Sequence, residues 1–166
     1  MTLDDLNASS REDFVTALGS IFEDSPWAAE RAWRQRPFAS LEALHQAMMT
    51  EVSASSRDEQ LRLLRAHPDL GTRENMTPSS ASEQEGAGLD RLTPSEFDRL
   101  RELNTSYREK FGFPFLFAVK GRTKRDVLAA LAARLQVTAD EEFSEALRQV
   151  SRIAWFRLQE LVTQPR

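Results

Sequence analysis

At three of the helix starts the chain suggests, a hydroxyl residue is followed, three positions later, by a glutamate: Ser56 with Glu59, Thr93 with Glu96, and Thr138 with Glu141. At a helix N-cap the hydroxyl accepts the N–H three residues on. The carboxylate then accepts from the cap's own N–H, so each pair fixes where a helix begins. Ser25-Pro26 reads as a further start, a cap followed by proline at the first helical position. Pro37, Pro68 and Pro94 punctuate the same pattern. The helices so delimited are 11–19, 26–36, 40–51, 57–66, 80–88, 94–110, 124–136 and 139–163, about eight in all. The last carries its buried face openly: Phe143, Leu147, Val150, Ala154, Leu158 and Leu161 recur every three or four residues.

One segment does not fit a helix. "FGFPFLFAVKGRT", 111–123, is aromatic and apolar and by propensity resembles a strand, yet the chain offers no second strand to pair with it. A lone strand leaves backbone donors and acceptors unpaired. The segment is either a buried connector, the commoner case, or an extended stretch that offers those groups to a ligand. A second stretch, "GTRENMTPSSASEQEGAG" at 71–88, is polar and small and has the look of an interdomain linker. The segments on either side are too short for comfortable separate cores, so residues 1–166 read as a single domain and 71–88 as a functional loop within it.

Composition removes whole classes of function. There is no cysteine, which excludes disulfides, thiolate catalysis and zinc–thiolate sites. Net charge is −4 with acidic and basic residues interspersed, so no basic face invites nucleic acid. The N-terminus has neither a basic nor an apolar leader segment, and no apolar run approaches the roughly 18 residues of a membrane span. The last residues, "LVTQPR", are not a peroxisomal address. The expectation is a cytoplasmic enzyme or binding protein without membrane or nucleic-acid partners.

Of two histidines, His67 stands in "LLRAHPDLG", where a helix stops just before Pro68. A lone histidine is more often structural than catalytic. A helix end followed by proline, however, places the side chain at the rim of a turn, and imidazole with an ordinary pKa of about 6.5 exchanges a proton at neutral pH. His45 lies mid-helix in "LEALHQAMM" and reads as structural. In "SSASEQEGAGL", Glu83 could orient a histidine and the Gln84 amide could bind a polar ring, while Ser80-x-x-Glu83 is equally well a plain capping box. Arg157 lies beside the apolar stripe of the last helix. It either snorkels to solvent, the favoured alternative, or sits fixed in a pocket where its fork could grip a carboxylate. Trp155 falls on the polar side of that helix among Arg148, Arg152 and Gln159, as an exposed interface residue would. A metal hydrolase built on His67 and Asp69 lacks ligands at workable spacing, and no metal site is expected. A non-catalytic helical scaffold remains open on composition alone.

Five fragments taken together narrow this further. "SPWAAERAWRQRPF", "HPDLG", "SEQEGAGLD", "LNTSYREKFGFPFLFAVKGRT" and "ALRQVSRIAWFRLQELV", in this order and over nearly the whole chain, resemble the 2-oxo-4-hydroxy-4-carboxy-5-ureidoimidazoline (OHCU) decarboxylases. The resemblance implies an all-α, homodimeric, cofactor-free enzyme that forms (S)-allantoin in urate degradation, with the Phe-Pro-Phe segment as an extended link lining the active site. It implies that His67 is the catalytic acid, that Glu83 pairs with it, and that Pro68, Ser80 and Gln84 contact substrate. The backbone of Phe115, Leu116, Phe117, Ala118 and Val119 would do the same, and Arg157 would bind with them. The pairing with Glu83 would orient the imidazole and favour its protonated form. One departure is visible: this chain reads "FAVKGR" where many members carry an arginine near the end of the link. Lys120 keeps the charge without the guanidinium fork, and no role is carried to it.

Overall fold

In the computed structural model, which describes residues 1–72 and 76–163, the described residues form nine α-helices and no strand. They are α1 (Leu3–Ala8), α2 (Arg11–Leu18), α3 (Trp27–Ala32), α4 (Leu41–Ala54), α5 (Arg57–Ala66), α6 (Pro78–Gly86), α7 (Pro94–Phe111), α8 (Lys124–Arg134) and α9 (Ala139–Leu161). The all-α expectation holds, with one helix more than the sequence pattern supplies. That helix is α1, whose Thr2 cap closes a box with Asp5 in place of a glutamate. The expected helix at 26–36 is α3 followed by a 3-10 turn at Trp33–Gln35.

Two of the three hydroxyl–glutamate starts form as full boxes, and at Ser56 the hydroxyl half forms. Thr93 Oγ1 accepts from Glu96 N at 3.2 Å while Glu96 Oε1 accepts from Thr93 N at 2.9 Å. Thr138 and Glu141 exchange the same two bonds at 3.3 and 3.1 Å, and Ser56 Oγ accepts from Glu59 N at 3.1 Å. Lys124 and the Thr93 N–H together hold the Glu96 carboxyl down to about 2, and Lys124 Nζ to Glu96 Oε1, 2.7 Å, ties the start of α8 to the start of α7. Ser25 does not cap. Its hydroxyl donates back to Glu23 O at 2.8 Å, and Pro26 itself occupies the cap position of α3 without a side-chain bond. The cause is local: Asp24 turns the chain through the left-handed region, φ 42°, which brings the Ser25 hydroxyl over the carbonyl two residues before it.

The chain divides into two compact units, Met1–Ala66 with Ser151–Arg166, and His67–Val150. In the first, α3 packs on α4 through Ala28, Ala29 and Ala32, all 0–1% exposed. Three alanines on one face let two helices approach closely. Leu44, Met48 and Val52 of α4 are fully buried, and Phe14 of α2 stacks toward Phe38 with centroids 6.3 Å apart. Met1 O accepts from Thr163 N at 2.8 Å, closing the unit's two chain segments on each other.

In the second unit α7 packs on α8. Helix α7 stops at Gly112, whose φ of 77° suits a residue without Cβ and whose N–H returns to Arg108 O at 2.8 Å. The link that follows, 113–119, is neither helix nor strand and is buried along most of its length. Its aromatic side chains repeat every second residue. Tyr107 of α7 lies edge-on to Phe113 and Phe115, at 5.9 and 5.5 Å, and Phe115 stacks on Phe117 at 5.8 Å. Of the polar stretch 71–88, residues 73–75 lie outside the described residues. The remainder is largely α6, so the expected helix at 80–88 begins two residues earlier, at Pro78.

Candidate active site

His67 follows directly on the last residue of α5 and is 5% exposed. The turn that carries it is pinned residue by residue. Asp69 Oδ1 accepts from Arg108 Nε at 2.9 Å, Leu70 O accepts from Asn104 Nδ2 at 2.9 Å, and Gly71 N donates to Gln84 Oε1 at 2.9 Å. Gly71 has φ 81°, and a Cβ there would run into Leu100, so only glycine completes the turn. Two helices, α6 and α7, thus fix the backbone beside the histidine. Pro68 is half-buried within this turn.

Helix α6 settles the capping-box alternative. Thr77 is the N-cap, its hydroxyl accepting from Ser80 N at 3.2 Å, with Pro78 at the first helical position. Ser80 is therefore inside the helix and not its cap. Ser80 and Gln84 are four residues apart on one face, and both are 5% exposed. Glu83, next to that face, is half-buried. Gln84 spends its carbonyl oxygen on Gly71 N–H, while its Nε2 lies 3.1 Å from Met76 Sδ, a weak acceptor.

The link meets side chains where a sheet would have supplied a neighbouring strand. Arg134 Nη1 donates to Leu116 O, and Gln149 Oε1 accepts from Ala118 N at 2.9 Å. Phe115, Leu116, Ala118 and Val119 are buried, and Phe117 is half-buried. Behind the link, Tyr107 donates to Glu142 Oε1, and burial followed by that carboxylate pushes its phenol well above the ordinary range. His67, Pro68, Ser80, Glu83, Gln84 and 115–119 all belong to the second unit.

Arg157 belongs to the first unit, where the snorkelling alternative fails. The residue is 6% exposed, and its Nη2 donates to Glu23 Oε1 at 2.8 Å, with Glu23 itself 2% exposed. Nη1 reaches Ser20 O and Ile21 O at 3.4 Å each. Sequence reasoning misses Glu23: in "IFEDSP" nothing separates a buried carboxylate from its exposed neighbour Asp24. His45 is structural as read, its Nε2 2.8 Å from Ser151 O. Trp155 is not the exposed residue expected of it. It is half-buried and meets the His45 ring edge-on at 5.4 Å, within its own unit.

Comparison with known proteins matches this architecture. A family profile described as OHCU decarboxylase aligns with residues 7–159. The chain is 47% identical over 166 residues to a 2-oxo-4-hydroxy-4-carboxy-5-ureidoimidazoline decarboxylase of Halalkalicoccus jeotgali, covering all of this chain and 94% of that protein. It is 46% identical over 163 residues to the uric acid degradation bifunctional protein PucL of Bacillus subtilis, covering 98% of this chain and 33% of the longer relative. A crystal structure of (S)-allantoin synthase superposes with a TM-score of 0.79 at 36% identity, covering 98% of this chain and 54% of the other.

Proposed function

The chain belongs to the OHCU decarboxylase family, and on that premise we propose that it converts OHCU to (S)-allantoin in urate degradation, as a carboxy-lyase working with His67 as its acid. The reaction breaks the bond between the ring and its carboxylate. The electron pair forms a double bond to the ureido-bearing carbon, the C=N pair passes to the ring nitrogen, which takes up a proton, and CO₂ leaves behind an enol. As the enol collapses to a carbonyl its O–H proton is released, and the ureido-bearing carbon takes one proton, so that one proton in all replaces CO₂. Because the substrate's own C=N accepts the electrons, residues suffice for the chemistry, and no cofactor or metal is invoked.

The structural observation that carries the reading is the pinned turn. His67 is 5% exposed on a backbone held by Gln84, Asn104 and Arg108, so an imidazole there delivers its proton from one direction. Protonation from one direction gives one enantiomer. Glu83 orients the imidazole, and Ser80 and Gln84 on the buried face of α6 hold the ring and ureido group, Gln84 through its Nε2. Pro68 and the backbone of Phe115–Val119 complete the contacts, and Arg157, held by Glu23, binds the carboxylate. The 166 residues act as one domain.

The test uses substrate generated from urate in situ, with allantoin followed by circular dichroism. The spontaneous reaction gives racemic product. The protein is expected to build an (S) signal faster than spontaneous decay, and racemic allantoin at the spontaneous rate would return the chain to the scaffold alternative.

The same reading extends to a cytoplasmic homodimer whose only other partner is its small-molecule substrate. No described helix is long and apolar enough to cross a membrane. With Trp155 packed at home, the dimer rests on the family resemblance. Sedimentation velocity at micromolar concentration is expected to give a dimer, and a monomer throughout would remove this part of the proposal.

A further inference from the structure

The link 113–119 is gripped along one edge by two side chains to which the decarboxylation assigns no task. In an extended chain the backbone groups of alternate residues face opposite edges. The period-two stacking of Phe113, Phe115 and Phe117 around Tyr107 marks the link as extended. Leu116 C=O and Ala118 N–H therefore share one edge, and Phe117 N–H and C=O lie on the other. Both groups of the first edge are taken, by Arg134 Nη1 and by Gln149 Oε1. Among the described residues no hydrogen bond uses the Phe117 backbone.

The two gripping side chains are themselves fixed. Arg134 lies over the Phe115 ring, 4.6 Å from its centroid, and its Nε donates to Glu142 Oε1 at 2.8 Å, the oxygen that also accepts from Nη2 and from Tyr107. Gln149 Nε2 donates to Glu145 Oε1 at 2.8 Å, which orients the amide so that its oxygen faces Ala118. Glu142 is 0% exposed, and its Oε2 has no partner among the described residues. A buried ion pair with an unsatisfied oxygen is a poor means of stabilising a fold, since well-packed apolar residues serve a plain connector as well or better. Such a pair is explained when a backbone position has to be exact.

We infer that Arg134 and Gln149 are positioning residues for the decarboxylation. They hold Leu116 and Ala118 so that Phe117 N–H and C=O stand as a fixed donor–acceptor pair for an amide-like edge of the substrate. The inference rests on the reading that the 115–119 backbone lines the substrate site.

Arg134→Lys keeps a charge facing Glu142, but a single ammonium lacks the planar fork that serves Glu142 and Leu116 O together. Gln149→Met keeps the length and removes the acceptor. Each variant is expected to raise KM, and the Kd of (S)-allantoin measured by calorimetry, about tenfold, with kcat changed less than about threefold. A contact made equally in ground and transition states is uniform binding, and one hydrogen bond is of that order. A merely structural role would lower the melting temperature and leave KM in place, as Leu131→Ala in the buried face of α8 is expected to do.

Folded variants with unchanged KM and allantoin affinity overturn the inference while leaving the enzyme's activity standing. If the unmodified protein neither turns over substrate nor binds (S)-allantoin, the reading of the link falls and the inference falls with it. If Arg134→Lys does not fold, Gln149→Met decides. In the unmodified protein the Phe117 amide resonance is expected to move when (S)-allantoin is added, and a resonance that stays put overturns the inference whatever the variants do.

Discussion

His67→Asn is expected to leave the protein folded and to lower the rate of enzymatic (S)-allantoin formation at least about a hundredfold, since a positioned acid or base contributes about 10²–10⁴-fold. The fold is expected to survive because the turn has three anchors besides the imidazole. Its backbone is held at Asp69, Leu70 and Gly71 by Arg108, Asn104 and Gln84. Asparagine can still donate a hydrogen bond from a similar place, but it has no proton to transfer at neutral pH. Because the uncatalysed reaction continues and gives racemate, enantiomeric excess falls together with rate. Glu83→Gln should also damage turnover, because in the proposed pairing an amide would replace the carboxylate that orients the imidazole. Far-ultraviolet dichroism and melting temperature check the fold. A His67→Asn protein that still made (S)-allantoin at the unmodified rate would return His67 to a structural role.

What the sequence makes legible here is what is decided within a few residues. The box at Thr93 and Glu96 closes because both bonds lie within one turn, whatever the rest of the chain does. Helix α1 escapes the same reading only because its returning carboxylate is Asp5. The aromatic, apolar run at 111–123 sets the link apart from the helices by propensity, and 113–119 is indeed not helical, though not a strand either. Its partners are invisible in sequence because Arg134 and Gln149 come from helices 18 and 31 residues further along. Ser25 fails as a cap because the left-handed turn at Asp24 redirects its hydroxyl, and residue type alone does not announce a positive φ at aspartate. Ser80 looks like a cap until Thr77-Pro78 is given precedence, and only then do Ser80 and Gln84 emerge as a buried polar face.

The site residues divide along the same line. His67 is legible from a helix end and a proline. The commitment of Gln84 Oε1 to Gly71 is not, and under the proposed function it gives one side chain two tasks, holding the turn beside His67 and facing the substrate. Substituting Gln84 therefore mixes effects on binding with effects on the position of His67, which makes it a poor probe of either.

The other large effect lies in the first unit. Glu23→Gln is expected to destabilise the protein by about 3–5 kcal/mol, the range found when one partner of a buried ion pair is removed. Glu23 and Arg157 are 2% and 6% exposed, so solvent screens neither charge, and the Nη2–Oε1 separation is 2.8 Å. The amide fills the same space and still offers an oxygen, but it takes the Glu23 charge away from a buried guanidinium. The bonds of Nη1 to Ser20 O and Ile21 O, 3.4 Å each, are long and to neutral carbonyls, so they do not replace that charge. Replacing both partners with apolar residues of similar size, as in Glu23→Leu with Arg157→Met, should cost much less stability than Glu23→Gln alone, because no charge is then stranded. If Arg157 holds the substrate carboxylate as proposed, the same double variant should also bind substrate far more weakly, since the fork is gone. Urea denaturation of the single and double variants reads the comparison. A Glu23→Gln protein as stable as the unmodified one, or a double variant that is the less stable of the two, would show that the pair is not what holds Arg157 in place.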